Sequence, residues 1–133
     1  MIPRLIEEVI LKSLEFKKII LILGARQVGK TTLIKEIQGK LAKSGKKTLY
    51  LNCDSDEERN AINTTSKALL EKLIENTQVL LIDEAQRLEN PGLTLKILYD
   101  YFPSHTIIVT GSSSFELKNK MSDALTGRYI DFT

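Results

Sequence analysis

The chain has no tryptophan, a single cysteine, a single histidine, three prolines and no large excess of charge of either sign. Each shortage narrows the field. Cys53 has no partner for an intrachain disulfide, so a disulfide scaffold is excluded and a reducing, cytoplasmic setting fits; the residue reads as a small apolar filler near a strand end. His105 falls in a turn before a strand and reads as a plain turn residue. A net charge of +2 neither demands nor excludes a nucleic-acid partner, because a basic footprint counts only when it is clustered. The longest apolar run is too short to span a bilayer. The Met1 end carries Pro3, Arg4, Glu7 and Glu8 within its apolar pattern, so neither a signal peptide nor a membrane partner is expected. No internal repeat or low-complexity tract is visible. What remains is an ordinary globular composition, 42% hydrophobic and 27% charged over 133 residues. One domain of that length buries about two thirds of the surface its unfolded chain would expose.

The stretch KIILILGARQVGKTT, residues 18–32, organises the rest. Ile19 to Leu23 are apolar without alternation, as in a strand buried on both faces of a parallel sheet. Gly24-Ala25-Arg26-Gln27-Val28-Gly29-Lys30-Thr31 then fits G-x-x-x-x-G-K-[ST], between a strand and a helix as that motif requires. Gly24 and Gly29 permit backbone angles that a side chain resists, so successive amides can converge on phosphate oxygens. The helix opening near Gly29 adds its N-terminal partial charge, about half an elementary charge, under the same phosphates. Lys30 is expected to reach the β- and γ-phosphates, with Thr32 beside it, and the Thr31 hydroxyl to bind Mg²⁺. Arg26, inside the loop, either contacts the γ-phosphate or a partner, or is simply exposed.

Along the chain, Ile2, Leu5, Ile6, Val9, Ile10 and Leu14 recur at helical spacing, which predicts a helix within residues 1–16 packing on the core. A helix over 29–44 carries Leu33, Ile34, Ile37 and Leu41 on one side and ends at Gly45. Its lysines, Lys40 and Lys43 with Lys46 and Lys47 beyond, read as a solvated helix end rather than a nucleic-acid patch. Thr48 to Asn52 is a strand, and the acidic exit Asp54 to Glu58 is a solvated loop or helix start rather than a metal loop, lacking the glycine-punctuated spacing of a calcium site. Residues 59–65 read as loop or poorly formed helix. Helices are expected over 66–76, over 93–102 after an Asn90-Pro91-Gly92 loop, and over 115–124; strands over 78–83, 106–110 and 129–133. Five strands alternating with helices imply an α/β sandwich with a mostly parallel sheet. Ligands of such a sheet bind at the carboxyl ends of the strands, which brings 24–31, 83–84 and 110–114 to one edge.

Asp83 follows a buried apolar strand, where an acid contacting the Mg²⁺ shell belongs. Glu84, next in line, could orient or deprotonate a water for in-line attack on the γ-phosphate, which favours hydrolysis over transfer to a small molecule. Gln86 and Arg87 on the same turn either report on nucleotide state, bind a partner, or are surface residues. Thr110 and Ser112 end a strand beside Asp83 and could bond the γ-phosphate or the attacking water as a nucleotide sensor; Ser113 or Ser114 could instead cap a helix. Arg128 could supply positive charge to the transition state in cis or to a neighbouring subunit, worth on the order of 10³–10⁵ in rate. It could also cap a helix or pair with an acid.

Taken together, GARQVGKTT, LLIDEAQRL, IIVTGSSS and LTGRY resemble, in order and spacing, the ATP-binding domain of the prokaryotic AAA-superfamily ATPases that pair it with a C-terminal domain of obscure function. The resemblance runs from Pro3 to Thr133. It implies a P-loop NTPase α/β/α sandwich with a five-stranded sheet in the order 5-1-4-3-2. It also implies ATP and Mg²⁺ as ligands, with Lys30 and Thr31 on phosphate and metal, Asp83 in the metal shell and Glu84 activating water. Thr110 and Ser112 stand where broader AAA-type ATPases have a sensor asparagine. Members of the family continue into a second domain beyond the last strand, so a fragment or pared-down protein with weak hydrolysis in isolation is expected. Competing readings are a non-hydrolysing nucleotide switch that changes shape or assembles, and a DNA-associated, helicase-like motor. The short span between Lys30 and Asp83 leaves little room for a helicase's strand-contacting motifs. A small-molecule kinase is disfavoured by Glu84 and the lack of an evident lid. A homo-oligomer and a DNA or protein partner are both open, and the absence of Asn-Lys-x-Asp favours adenine over guanine.

Overall fold

A computed structural model of the chain describes residues 19–24, 29–112 and 129–131. Strands β1 (Ile19–Leu23), β2 (Thr48–Asn52), β3 (Val79–Asp83), β4 (Thr106–Gly111) and β5 (Tyr129–Asp131) form one sheet. Its order is β2-β3-β4-β1-β5, with every neighbouring pair parallel. Read from the other edge this is 5-1-4-3-2, the order the family resemblance implies.

Alternation along the strands explains why they read as unbroken apolar runs. Ile19 and Leu21, Leu80 and Ile82, and Ile107 and Val109 point to one face, where they pack with buried residues of three helices. These are α2 (Asp56–Ile62), α3 (Lys67–Ile74) and α4 (Pro91–Tyr101). Ile20, Ile22, Val79, Leu81 and Ile108 point to the other face and meet Leu33, Ile34 and Ile37 of α1 (Lys30–Lys43). With both faces covered, no strand position needs a polar residue until the strand leaves the sheet.

The helices begin and end where local chemistry allows. Gly29 precedes α1 with φ 79°, a left-handed conformation suited to glycine. At the other end, Gly45 has φ 91°, its amide donates to Ala42 O and the Lys46 amide to Leu41 O. That pair of bonds is a Schellman closure. Ser66 caps α3 by accepting from the Leu69 amide.

Two segments differ from the sequence reading. Residues 56–62 form a helix where 59–65 looked weak: Asp56, Glu57 and Glu58 lie in its first turn, matching the helix dipole, and Ile62 anchors it in the core. The helix expected from Leu93 starts instead at Pro91, because the Asn90 side chain caps the Leu93 amide and Pro91 sits in the first turn, where its missing N–H costs nothing. The helices expected within 1–16 and over 115–124 lie outside the described residues.

Candidate functional site

Because the sheet is parallel, the carboxyl ends of β1, β3 and β4 share one edge. The register pairs Leu23 with Gly111 and Ile22 with Thr110, while Ile82 lies beside Val109. Asp83 therefore stands level with Thr110. Beyond β1 the backbone stays tied to β4, since the Gly24 amide donates to Gly111 O at 3.2 Å.

Lys30 opens α1 and is only 2% exposed. Its ammonium donates to Gly24 O and to Gly111 O, both at 2.6 Å. A buried cation is tolerated only with strong acceptors around it, and here the carbonyls at the ends of two strands supply them. Thr31 follows half-buried and Thr32 exposed in the first turn of the same helix. Ala25, Arg26, Gln27 and Val28 lie outside the described residues, as does Arg128.

Asp83 is fully buried. Its carboxylate accepts from the Tyr50 hydroxyl at 2.6 Å and from the Thr110 hydroxyl. Both are neutral donors, and no ion pair reaches Asp83 among the described residues. Carboxylate oxygens are the donors a hard divalent ion takes, and the Thr31 hydroxyl is of the same oxygen class. The residues present thus fit Mg²⁺. The acidic run Asp54 to Glu58 is a turn that leads into the first turn of α2.

Glu84 is buried and carries φ 59°, ψ 49°, the one non-glycine left-handed residue among those described. The reversal turns the chain out of β3 into a single 3₁₀ turn, Ala85–Arg87. Three hydrogen bonds hold it: the Glu84 amide donates to Thr110 Oγ1 at 3.0 Å, its carbonyl accepts from the Arg87 amide at 3.1 Å, and its carboxylate accepts from Gln86 Nε2 at 2.7 Å. Thr110, fully buried, therefore donates to one acid and accepts from the backbone of the next. Ser112 is half-buried and its amide donates to Gln86 Oε1 at 3.2 Å. Arg87 pairs with Asp54 at 3.0 Å, on the surface.

Tyr50 is a site residue that the sequence reading missed. Burial, and next the hydrogen bond to Asp83, push its phenol well above the usual range. The signal was available only jointly: order 5-1-4-3-2 makes β2 the neighbour of β3, and alternation sends Tyr50 and Asp83 to the same face. His105 is far from this edge, its Nε2 3.1 Å from Ile74 O.

A parallel five-stranded sheet, a left-handed glycine heading a helix whose first residue is a buried lysine, and an acid pair ending the third strand define the P-loop NTPase class. Within it, this chain belongs to the AAA domain family, whose sequence model matches residues 16–133. An uncharacterized protein of Methanocaldococcus jannaschii is 34% identical over 109 residues, which are 77% of this chain and 23% of that protein. Among solved structures, AMPPCP-bound DnaA from Aquifex aeolicus is similar with TM-score 0.66 at 18% identity, over 99% of this chain and 48% of that one. Replication initiator DnaA bound to AMPPCP and single-stranded DNA gives 0.65 at 20%, over 97% and 46%. Saccharomyces cerevisiae RIF2 gives 0.63 at 14%, over 95% and 52%. At these identities the likeness is one of fold, and the chain spans about half of each of those structures and a quarter or less of the curated relative. No helix among the described residues is long and apolar enough to cross a membrane.

Proposed function

We propose that this AAA domain binds ATP with Mg²⁺ and hydrolyses the β–γ phosphoanhydride bond, coupling the cycle to a partner domain or protein. The single observation that supports this most is the meeting of Lys30, Asp83, Glu84 and Thr110 at one sheet edge, three of them at or beside the carboxyl ends of β3 and β4. In this reading the phosphate loop, Gly24 through Thr32, cradles the phosphates, and the Lys30 ammonium exchanges carbonyl oxygens for β- and γ-phosphate oxygens. Thr31 and Asp83 hold the ion, which when bound offsets charge on the β- and γ-oxygens. Glu84 accepts a proton from water as its oxygen bonds to the γ-phosphorus; the bond to the bridging oxygen breaks, and ADP and orthophosphate result. Ser112 reports on the γ-phosphate, and Arg128 adds charge in cis or from a second copy.

The test is Mg²⁺-dependent ATP turnover by the chain at several protein concentrations, beside Glu84→Gln. Turnover lost in the variant is the expected result. A rate per molecule that climbs with concentration would assign Arg128 or another group to a neighbouring subunit. Turnover no higher than in the variant would sink hydrolysis.

A second reading, a nucleotide-binding switch without turnover, draws on the hydrogen bonds that already engage Lys30 and the Glu84 carboxylate. Tight binding of ATP with no turnover selects it. A DNA partner, or a helicase-like motor on DNA, draws only on the DnaA structures, one of which holds single-stranded DNA. Retention of a labelled single strand by the chain, dependent on ATP, is the observation that reading needs.

A further inference from the structure

We propose that Gln86 is a positioning residue: its side-chain amide ties the Glu84 carboxylate to the backbone of Ser112, so that the orientation of Glu84 follows the exit of β4. The inference rests on Glu84 being the water-activating residue.

The geometry leaves the amide one orientation. Gln86 Nε2 lies 2.7 Å from Glu84 Oε2, and Gln86 Oε1 lies 3.2 Å from the Ser112 amide nitrogen. Reversing the amide would face an oxygen to a carboxylate and a nitrogen to an N–H, losing both bonds. Only a group with a donor and an acceptor on one planar terminus can serve both neighbours at once. Glutamate lacks the donor when ionised, methionine lacks both functions, and asparagine is one methylene short.

The link closes a circuit between two strand ends. Thr110 already joins β4 to β3 by donating to Asp83 and accepting from the Glu84 amide. Gln86 makes the second tie, two residues further along both segments, and it is the one that acts on the Glu84 side chain. Thr110 fixes where the Glu84 backbone is; Gln86 fixes where its carboxylate points. A displacement at Ser112, where the γ-phosphate would be felt, is carried by one rigid amide to the group that must meet the water. The 3₁₀ turn makes this reach feasible by placing residues 84 and 86 on one short, partly buried curve.

The test uses Gln86→Met, which keeps chain length and volume, and Gln86→Glu, which keeps the acceptor for Ser112 alone. Two readouts are needed on the whole chain. In steady-state turnover, both variants should lower kcat about tenfold or more, while the Kd for a non-hydrolysable ATP analogue and the thermal midpoint stay near wild type. An unchanged kcat, or a loss matched by weaker analogue binding or a lower midpoint, overturns the proposal. The second readout is the Ser112 amide resonance in the ¹⁵N-labelled protein. Glu84→Gln should shift it in the Gln86 background and leave it in place in the Gln86→Met background; equal shifts in both overturn the tie. If the wild type shows no turnover, the hydrolysis reading fails, and the resonance cycle alone then decides for or against the tie.

Discussion

At the scale of single residues, the site is built from neutral hydroxyls pressed into the service of acids. Thr110 and Tyr50 come from strands on either side of β3 and converge on one carboxylate. Removing a partner from so buried a group costs about 1–3 kcal/mol, which is why hydroxyls rather than apolar residues stand there. The acids were legible in the sequence, because a charge ending an apolar strand is conspicuous. Their partners were not: Tyr50 and Asp83 are 33 positions apart and touch only through the sheet register. Cys53, beside this cluster, has its thiol pushed up from 9.0 to about 12, chiefly by burial and partly offset by Arg59; the Tyr50 phenol moves the same way. Both protons are held more tightly by the folded chain than by the unfolded one. Their contribution is whole below the unfolded Cys value and falls as pH rises from about 9 towards 12. Urea midpoints measured at about pH 7.5 and about pH 10.5 should therefore drop at the higher pH, and less so in Cys53→Ala. A midpoint that holds constant across that window would contradict the burial of these groups.

Among the elements, glycine sets opposite signs within one helix and its exit. Gly39 lies inside α1, exposed, and a Cβ built there meets nothing within 4 Å. Gly39→Ala should thus stabilise the domain by about 0.5–1 kcal/mol. Gly45, at φ 91° in the Schellman closure, has equal space but the wrong backbone for a side chain, so Gly45→Ala should destabilise by about 1 kcal/mol. Chemical denaturation of the pair checks both signs at once. Strands were the most readable elements, since burial on both faces writes an apolar run of fixed length that ends in a polar residue. The short helix Asp56–Ile62 was the least: its single buried anchor, Ile62, gives no periodicity, and its stability comes from contacts outside itself, such as Arg59 to the Cys53 carbonyl at 3.0 Å. By residue type Pro91 and Gly92 read as loop, yet both are buried in the first turn of α4. Packing there outweighs the usual meaning of the dipeptide.

For the molecule as a whole, Lys30, Asp83, Glu84 and Thr110 gather at one edge of the sheet, so nucleotide binding there, as proposed, would be linked to global stability. An ATP analogue with Mg²⁺ at about a hundredfold its Kd contributes about 2.7 kcal/mol, which for this chain length is a rise of about 10 °C in thermal midpoint. Differential scanning with wild type should show that rise, and Lys30→Met, which removes the ammonium, should not. A rise of equal size in both would place nucleotide binding elsewhere. The left-handed backbone at Glu84 has a bearing on how such a chain can change over generations. Asparagine or glycine would sit there with less strain, by about 1 kcal/mol, and would keep the amide that Thr110 accepts. A laboratory lineage bred only for survival at high temperature should accordingly discard the glutamate early, becoming tougher as it loses the residue with which it would split ATP.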